Sequence, residues 1–88
     1  MTGIKRLVLD VLIPINVPST QLAMMLSKAR GAEGVDVLIQ EVERKVEAAK
    51  VTIEGDDLDF EAIKSVLDNV GASLQSVDRI TCGKRIVG

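Results

Sequence analysis

The residues of this chain best suited to chemistry are carboxylates that fall on one surface of a predicted sheet. Asp10 interrupts the first apolar run, and strand alternation places it on the side of the sheet away from the core. Asp78 joins it there if a bulge re-aims the last strand, and Glu41 or Ser76 adds further oxygen atoms. Because Ca²⁺ and Mg²⁺ take oxygen ligands, we expect a divalent-cation site at Asp10, Asp78 and Glu41.

The same carboxylates also fit a second interpretation, as ion pairs. Asp10 can pair with Arg6 or Arg79 across strands or across a subunit interface, and such pairs are ordinary on sheet surfaces. A further acidic cluster surrounds Gly55 but lacks the twelve-residue spacing and the terminal glutamate of a calcium-binding EF-hand. Turn formation and helix capping explain that cluster without a metal. Its members are Glu54, Asp56, Asp57 and Asp59.

The composition excludes several kinds of site. The 88 residues contain no His, Trp or Tyr, which removes imidazole bases and histidine metal ligands. Cys82 is the single cysteine, so it has no histidine partner to activate it and no second cysteine for an intramolecular disulfide. Gly83-Lys84-Arg85 could hold an anion, but no helix follows it as in a phosphate-binding loop. We therefore expect no catalytic residue and no cofactor other than the cation.

Charge and hydropathy limit the partners and the compartment. The net charge is −2, whereas nucleic-acid binding normally needs a basic face, so we expect no nucleic-acid partner. No apolar stretch approaches the ~18 residues of a membrane span, and the N-terminus does not read as a signal peptide. A lone cysteine suits a reducing compartment. These observations predict a cytoplasmic protein without a membrane partner.

The periodicity of apolar residues predicts six elements in the order βαββαβ. Pro18-Ser19 opens the first helix with serine as a cap, and Gly31 stops it. Asp57 or Asp59 caps the second helix, over about Phe60–Val70. The second and third strands meet in a hairpin at Glu47-Ala48-Ala49, with a helical continuation over 41–50 as the alternative. The strands are expected at Ile4–Leu12, Val35–Val46, Lys50–Gly55 and Ala72–Cys82, with a tail that adds a short edge strand through Ile86 and Val87.

This order predicts one domain over residues 1–88 with a ferredoxin-like α+β fold. Four antiparallel strands carry both helices on one face and leave the other face open. The spacing of three between Leu74, Val77 and Ile80 predicts a bulge near Ser76 or a bend. A chain this short has a thin core, so an open apolar face favours association with another copy. We expect a homo-oligomer that associates through the open face, a sheet edge or both, with an interface that includes Val8, Leu12, Leu38, Val42 and Ile80.

Four segments, in order, resemble one archaeal family. They are Arg6-Leu7-Val8-Leu9-Asp10-Val11-Leu12 followed by Pro14, Gly34-Val35-Asp36 leading to Glu41-Val42, Val51-Thr52-Ile53-Glu54-Gly55 with Leu58-Asp59-Phe60, and Ser76-Val77-Asp78 with Gly83-Lys84-Arg85-Ile86-Val87. The sequence is similar to the "domain of unknown function 211" group. The resemblance implies a ferredoxin-like fold, an archaeal cytoplasmic protein and oligomeric assembly, and it implies no activity. The sequence departs from the family pattern at Ile13–Val17, where the resemblance implies a more basic or histidine-containing loop, and at Gln75, where it implies a histidine.

Three classes of function compete. A homo-oligomeric binding or regulatory module fits the open face, by analogy with other small domains of this fold. An acylphosphatase-like enzyme is disfavoured because the segment Ile13–Val17 contains no Arg and no Gly. An RNA-binding module is disfavoured because no predicted strand carries an aromatic residue for base stacking.

Overall fold

The structure is a computed structural model that describes residues 3–85 and 87. Its strands are β1 (Ile4–Pro14), β2 (Ala32–Val42), β3 (Val46–Gly55) and β4 (Ser73–Cys82), and its helices are α1 (Ser19–Ser27) and α2 (Phe60–Val70). The strands form one antiparallel sheet in the order β2-β3-β1-β4. The helices contact each other and share one core with the sheet. This is the ferredoxin-like α+β fold that the sequence predicts.

The core is built on the two central strands. The odd-numbered residues of β1 from Leu7 to Ile13 are buried, and β3 adds Ala49, Val51 and Ile53. The helices cover this surface with residues at helical spacing: Leu22 and Leu26 from α1, Ile63 and Leu67 from α2. Alternation on the strands and the 3.6-residue period on the helices therefore meet on one face, as predicted.

The helices are short compared with the strands that they cover. Helices of 9 and 11 residues are about 14 and 17 Å long at 1.5 Å per residue. Strands of 10 and 11 residues extend about 33–36 Å. Two such helices shield the middle of the sheet and leave its margins in solvent. In β4, accordingly, Thr81 is the one buried residue.

The helix ends follow the predicted chemistry in α2 but not in α1. Asp59 caps α2, since its Oδ1 accepts a hydrogen bond from the backbone N–H of Ala62 at 3.1 Å. Gly71 ends the same helix in the left-handed conformation, with φ of 78°. In α1 the N-cap is Pro18 and no side chain caps the helix, so the predicted serine cap is wrong.

The hairpin between β2 and β3 lies earlier in the chain than predicted. β2 ends at Val42 and β3 begins at Val46, and the backbone N–H of Glu43 donates to the carbonyl of Val46 at 2.8 Å. The predicted turn at Glu47-Ala48-Ala49 is wrong because those residues pair with β1, opposite Ile13, Leu12 and Val11 respectively. Of the predicted tail strand, Ile86 lies outside the described residues and Val87 is in no strand.

Irregular registers decide which face the edge-strand side chains occupy. The register of β4 against β1 slips at Asp78 and again at Gln75, on either side of Ser76. The predicted bulge near Ser76 is thereby confirmed. As a result, Leu74, Val77 and Ile80 pair opposite the buried residues Val11, Leu9 and Leu7. A comparable slip in β2 leaves Gln40 without a partner on β3.

Candidate functional site

A polar cluster occupies the centre of the open face. Asp10 on β1 pairs directly opposite Lys50 on β3 and opposite Ser76 on β4. The Nζ atom of Lys50 lies 2.9 Å from Asp10 Oδ1 and 2.5 Å from Asp78 Oδ2. The Ser76 hydroxyl donates its one proton to Asp78 Oδ1 at 2.7 Å and lies 3.3 Å from Asp10 Oδ2, which shares that proton more weakly. One ammonium and one hydroxyl thus join two carboxylates from neighbouring strands.

The local geometry explains why these four side chains meet. Asp10 and Lys50 face the same way because opposite residues of an antiparallel pair share a face. The Ser76 side chain also faces this way, because Ser76 lies opposite Asp10 on the β4 side of β1. Asp78 joins them from the bulge, which removes it from strict alternation with its neighbours.

The hydrogen bonds of the cluster favour the charged forms of Lys50 and Asp78. Hydrogen bonds to Asp78 and then to Asp10 raise the pKa of Lys50 above its ordinary value. Hydrogen bonds from Lys50 and then from Ser76 lower the pKa of Asp78 below its ordinary value. A lysine with a raised pKa is a poor base and a poor nucleophile at neutral pH. The cluster is therefore suited to holding positive charge and not to acid–base chemistry.

The structure brings Asp10 and Asp78 together but does not complete the predicted metal triad. Glu41 pairs opposite Ala48, one row further along the open face, and its side chain makes no hydrogen bond or ion pair with any described residue. Within residues 3–85 and 87, no three His, Cys, Asp or Glu side chains converge in a way that could hold a metal ion. The point between the two carboxylates is taken by the ammonium group of Lys50. This arrangement fits the ion-pair interpretation, with Lys50 as the partner in place of Arg6 or Arg79.

Sequence reasoning missed Lys50. Its signal was available: Lys50, Thr52 and Glu54 alternate with the buried residues Val51 and Ile53. Alternation alone puts Lys50 on the open face. Its position opposite Asp10 depends on the register between β1 and β3, which no local pattern contains.

The second acidic cluster is accounted for by local contacts. Glu54 Oε2 accepts a hydrogen bond from Arg6 Nε at 3.0 Å, and Asp56 pairs with Lys5 at 2.5 Å. The hydrogen bond from Lys5 lowers the pKa of Asp56. Asp59 caps α2, as described above. Asp59 therefore has the capping role that the sequence predicts, whereas Glu54 and Asp56 form ion pairs that were not predicted for this cluster.

The five predicted interface residues divide between the two faces. Val8, Leu12 and Leu38 lie on the open face, in register with Thr52, Ala48 and Lys50. Val8 and Leu12 are half-buried, whereas Leu38 is 56% exposed. Val42 and Ile80 instead pair in rows with the buried residues Ile13 and Leu7, which places them on the helix side of the sheet. Both are nevertheless largely exposed, at 63% and 59%, because the short helices do not reach them.

The open face also contains a shallow cavity beside the polar cluster. Its volume is about 180 Å³. Gln40 and Gln75, the unpaired residues of the β2 and β4 bulges, line it from opposite edges of the sheet. Asp10, Leu12 and Ala48 are among its other lining residues. The cavity is smaller than a pocket for a drug-sized ligand.

Comparison with known proteins agrees with the sequence segments described above. The family model for domain of unknown function 211, described as "Uncharacterized ArCR", matches residues 5–88. The chain belongs to this family. An uncharacterized protein of the archaeon Methanocaldococcus jannaschii, MJ0319, is 37% identical over 87 residues, which span 99% of this chain and 90% of that protein. The family has no assigned activity, and the predicted archaeal family is confirmed.

No helix within the described part of the chain is long and apolar enough to cross a membrane. The cytoplasmic location remains a prediction.

Proposed function

We propose that this family member is a homo-oligomeric binding module whose subunits associate through the sheet. The observation that carries the proposal is the exposure of large apolar side chains on the two edge strands. Leu38 and Val42 lie on β2, Val77 and Ile80 on β4, and each is at least 38% exposed. Both edge strands are ten residues or longer and have no partner strand on their outer side within the described part of the chain. Unpaired edges of this length readily pair with another chain.

The energetic argument rests on the size of the domain. Fully burying one Val, Leu or Ile side chain contributes roughly 1.5–3 kcal/mol relative to leaving it exposed. A domain of 88 residues has a small stability margin, of the order of 5–10 kcal/mol. Covering two or three edge side chains is therefore a substantial gain for this chain, even after the entropic cost of association.

Sedimentation at micromolar protein concentration tests the proposal. We expect a species heavier than the 9.4 kDa monomer. Ile80→Lys places a charge on the exposed edge and should shift the distribution toward the monomer. Met24→Lys is the matched control, because Met24 is 64% exposed and lies on α1, outside the strands. A wild-type protein that sediments as a 9.4 kDa species would contradict the proposal.

In a more specific form of this proposal, the ligand of the assembly is a divalent cation, Ca²⁺ or Mg²⁺, bound at Asp10 and Asp78. Support comes from the convergence of the two carboxylates and the Ser76 hydroxyl on one point. The metal would have to displace the ammonium of Lys50. Thermal denaturation with and without millimolar Ca²⁺ or Mg²⁺ tests this version, and Lys50→Met is the comparison variant. Stabilisation of the wild type supports it, and stabilisation of the variant alone means that Lys50 excludes metal from the native cluster.

A further inference from the structure

The strand directions allow copies of the chain to extend the sheet side by side. β2 is antiparallel to β3, β3 to β1 and β1 to β4, so the two edge strands run in opposite directions. If a second copy lies beside the first in the same orientation, its β2 is antiparallel to β4 of the first. The joined strands would continue the alternation of the sheet without interruption.

The two edges carry opposite charge. The exposed ionisable residues of β2 are all acidic: Glu33, Asp36 and Glu41. The exposed outer margin of β4 and the segment after it carries Arg79, Lys84 and Arg85, while Asp78 is paired with Lys50, an ammonium that it shares with Asp10. Two β2 edges, or two β4 edges, would bring like charges together, which is unfavourable directly across strands. Pairing between β2 of one copy and β4 of the next joins unlike charges.

The registers put one opposite-charge pair at the same level of the sheet. Asp36 pairs opposite Thr52, Thr52 opposite Val8, and Val8 opposite Arg79. Asp36 and Arg79 are therefore the two ends of one row across the open face. Neither side chain forms a hydrogen bond or ion pair with any residue in the described part of the chain. When copies are placed side by side without a vertical shift, Arg79 of one meets Asp36 of the next.

The helix side of the same edges matches in apolar residues. The row through Leu9 ends in Val37 on β2 and Val77 on β4. The row through Leu7 ends in Val35 and Ile80. An unshifted contact thus covers the exposed side chains of Val77 and Ile80 with valines. The opposite charges on the open face and the apolar contacts on the helix side therefore both favour the unshifted alignment of neighbouring copies.

We propose that copies of this chain associate head to tail, with β4 of one subunit paired antiparallel to β2 of the next and Arg79 contacting Asp36 of that neighbour. The inference rests on the proposed function and specifies its interface. A head-to-tail contact uses two different surfaces, so it leads to a closed ring or to an open filament and not to a twofold dimer.

Charge reversal tests the pair in a way that separates it from general disruption. Asp36→Arg alone and Arg79→Asp alone each create a like-charge contact, and each should raise the dissociation constant of the contact about tenfold or more. The double variant restores an opposite-charge pair with the order reversed and should recover the wild-type mass by light scattering. Control reversals Asp68→Arg and Lys64→Asp, on the exposed side of α2, should leave the mass unchanged. Circular dichroism checks that every variant is folded.

Mixing the two single variants gives the sharpest outcome. The arginine introduced at position 36 of one variant then faces the aspartate introduced at position 79 of the other, and the remaining contacts join native Asp36 to native Arg79. An equimolar mixture should therefore reassemble with alternating subunits. Recovery in the double variant and in the mixture supports the proposal.

Two results would overturn this interface and leave the proposed oligomer standing on another surface. One is an oligomeric wild type whose mass is insensitive to both reversals. The other is a pair of single variants that dissociate and do not recover on mixing. A monomeric wild type would overturn both the interface and the proposed oligomer.

Discussion

Replacing Gly31 by alanine should destabilise the fold by about 2–4 kcal/mol. Gly31 lies between α1 and β2 with φ of 88°, a conformation that costs a residue with a side chain roughly 1–2 kcal/mol. An added Cβ would overlap the backbone carbonyl oxygen of Asp57, and no side-chain rotation can relieve a clash with backbone. Overpacking of this kind costs about 1–3 kcal/mol, and reduced freedom of the unfolded chain returns about 0.4–1 kcal/mol.

Thermal or urea denaturation at one fixed protein concentration measures the effect, since association also contributes to stability. A loss of about 2–4 kcal/mol corresponds to a decrease in Tm of roughly 10–30 °C for a domain of this size. Gly34→Ala is the matched control, because no atom lies within 4 Å of its added Cβ and its φ is not positive. The unfolding free energy of the Gly34→Ala control should equal that of the wild type or exceed it by about 0.4–1 kcal/mol. Equal stability of the two variants would refute the close approach between the Gly31 and Asp57 backbones.

Three further predictions follow from the packing and the charges. The contribution of Lys50 and Asp78 to stability should be constant at neutral pH, fall as pH drops below the ordinary carboxyl pKa of 3.8, and fall again as pH rises past the ordinary lysine pKa of 10.5. In Lys50→Met the unpaired carboxylates repel each other, so the difference in unfolding free energy between wild type and variant should shrink as pH falls from 7 to 3. Urea denaturation at a series of pH values measures this difference, and a constant value would contradict the ion pair. Asp59→Ala removes the bond to the Ala62 N–H and should cost about 1 kcal/mol in the same assay, whereas Asp59→Asn should cost less. Leu26→Ala, at a fully buried position, should cost about 3–4 kcal/mol, and a cost below about 1 kcal/mol would show that α1 does not pack as described.

The parts of the fold that the sequence predicts correctly are those with strong local patterns. The odd-numbered apolar residues of β1 and the stripe of α2 repeat over several turns or pleats, so chance matches are few. The spacing of three between Leu74, Val77 and Ile80 is also a local pattern, because it breaks strand alternation, and it correctly indicated the bulge. Asp59 and Gly71 are strong capping signals, and both ends of α2 lie where they predict.

The errors arise where non-local pairing decides. The segment 43–49 mixes charged and small residues without a turn signal, and the pairing of residues 46–49 opposite β1 fixes where β3 begins. The bulge at Gln40 leaves no mark in the sequence, yet it moves Val42 to the helix side and Glu41 to the open face. The partner of Asp10 was missed for a similar reason, because Lys50 lies 40 positions away and meets it only through strand register. A one-residue change in register reverses every face assignment beyond it.

The separation of charge between the two margins of the sheet gives the molecule a lateral electric dipole. Acidic side chains line β2, and basic side chains follow the outer side of β4 and its continuation, while Lys50 offsets one of the two carboxylate charges at the centre. A field of this kind acts over about 10 Å at 0.1 M salt and orients a diffusing neighbour before any atoms touch. Encounters between copies should therefore be fastest in dilute buffer and slow steeply with added electrolyte, whatever the strength of the final contact.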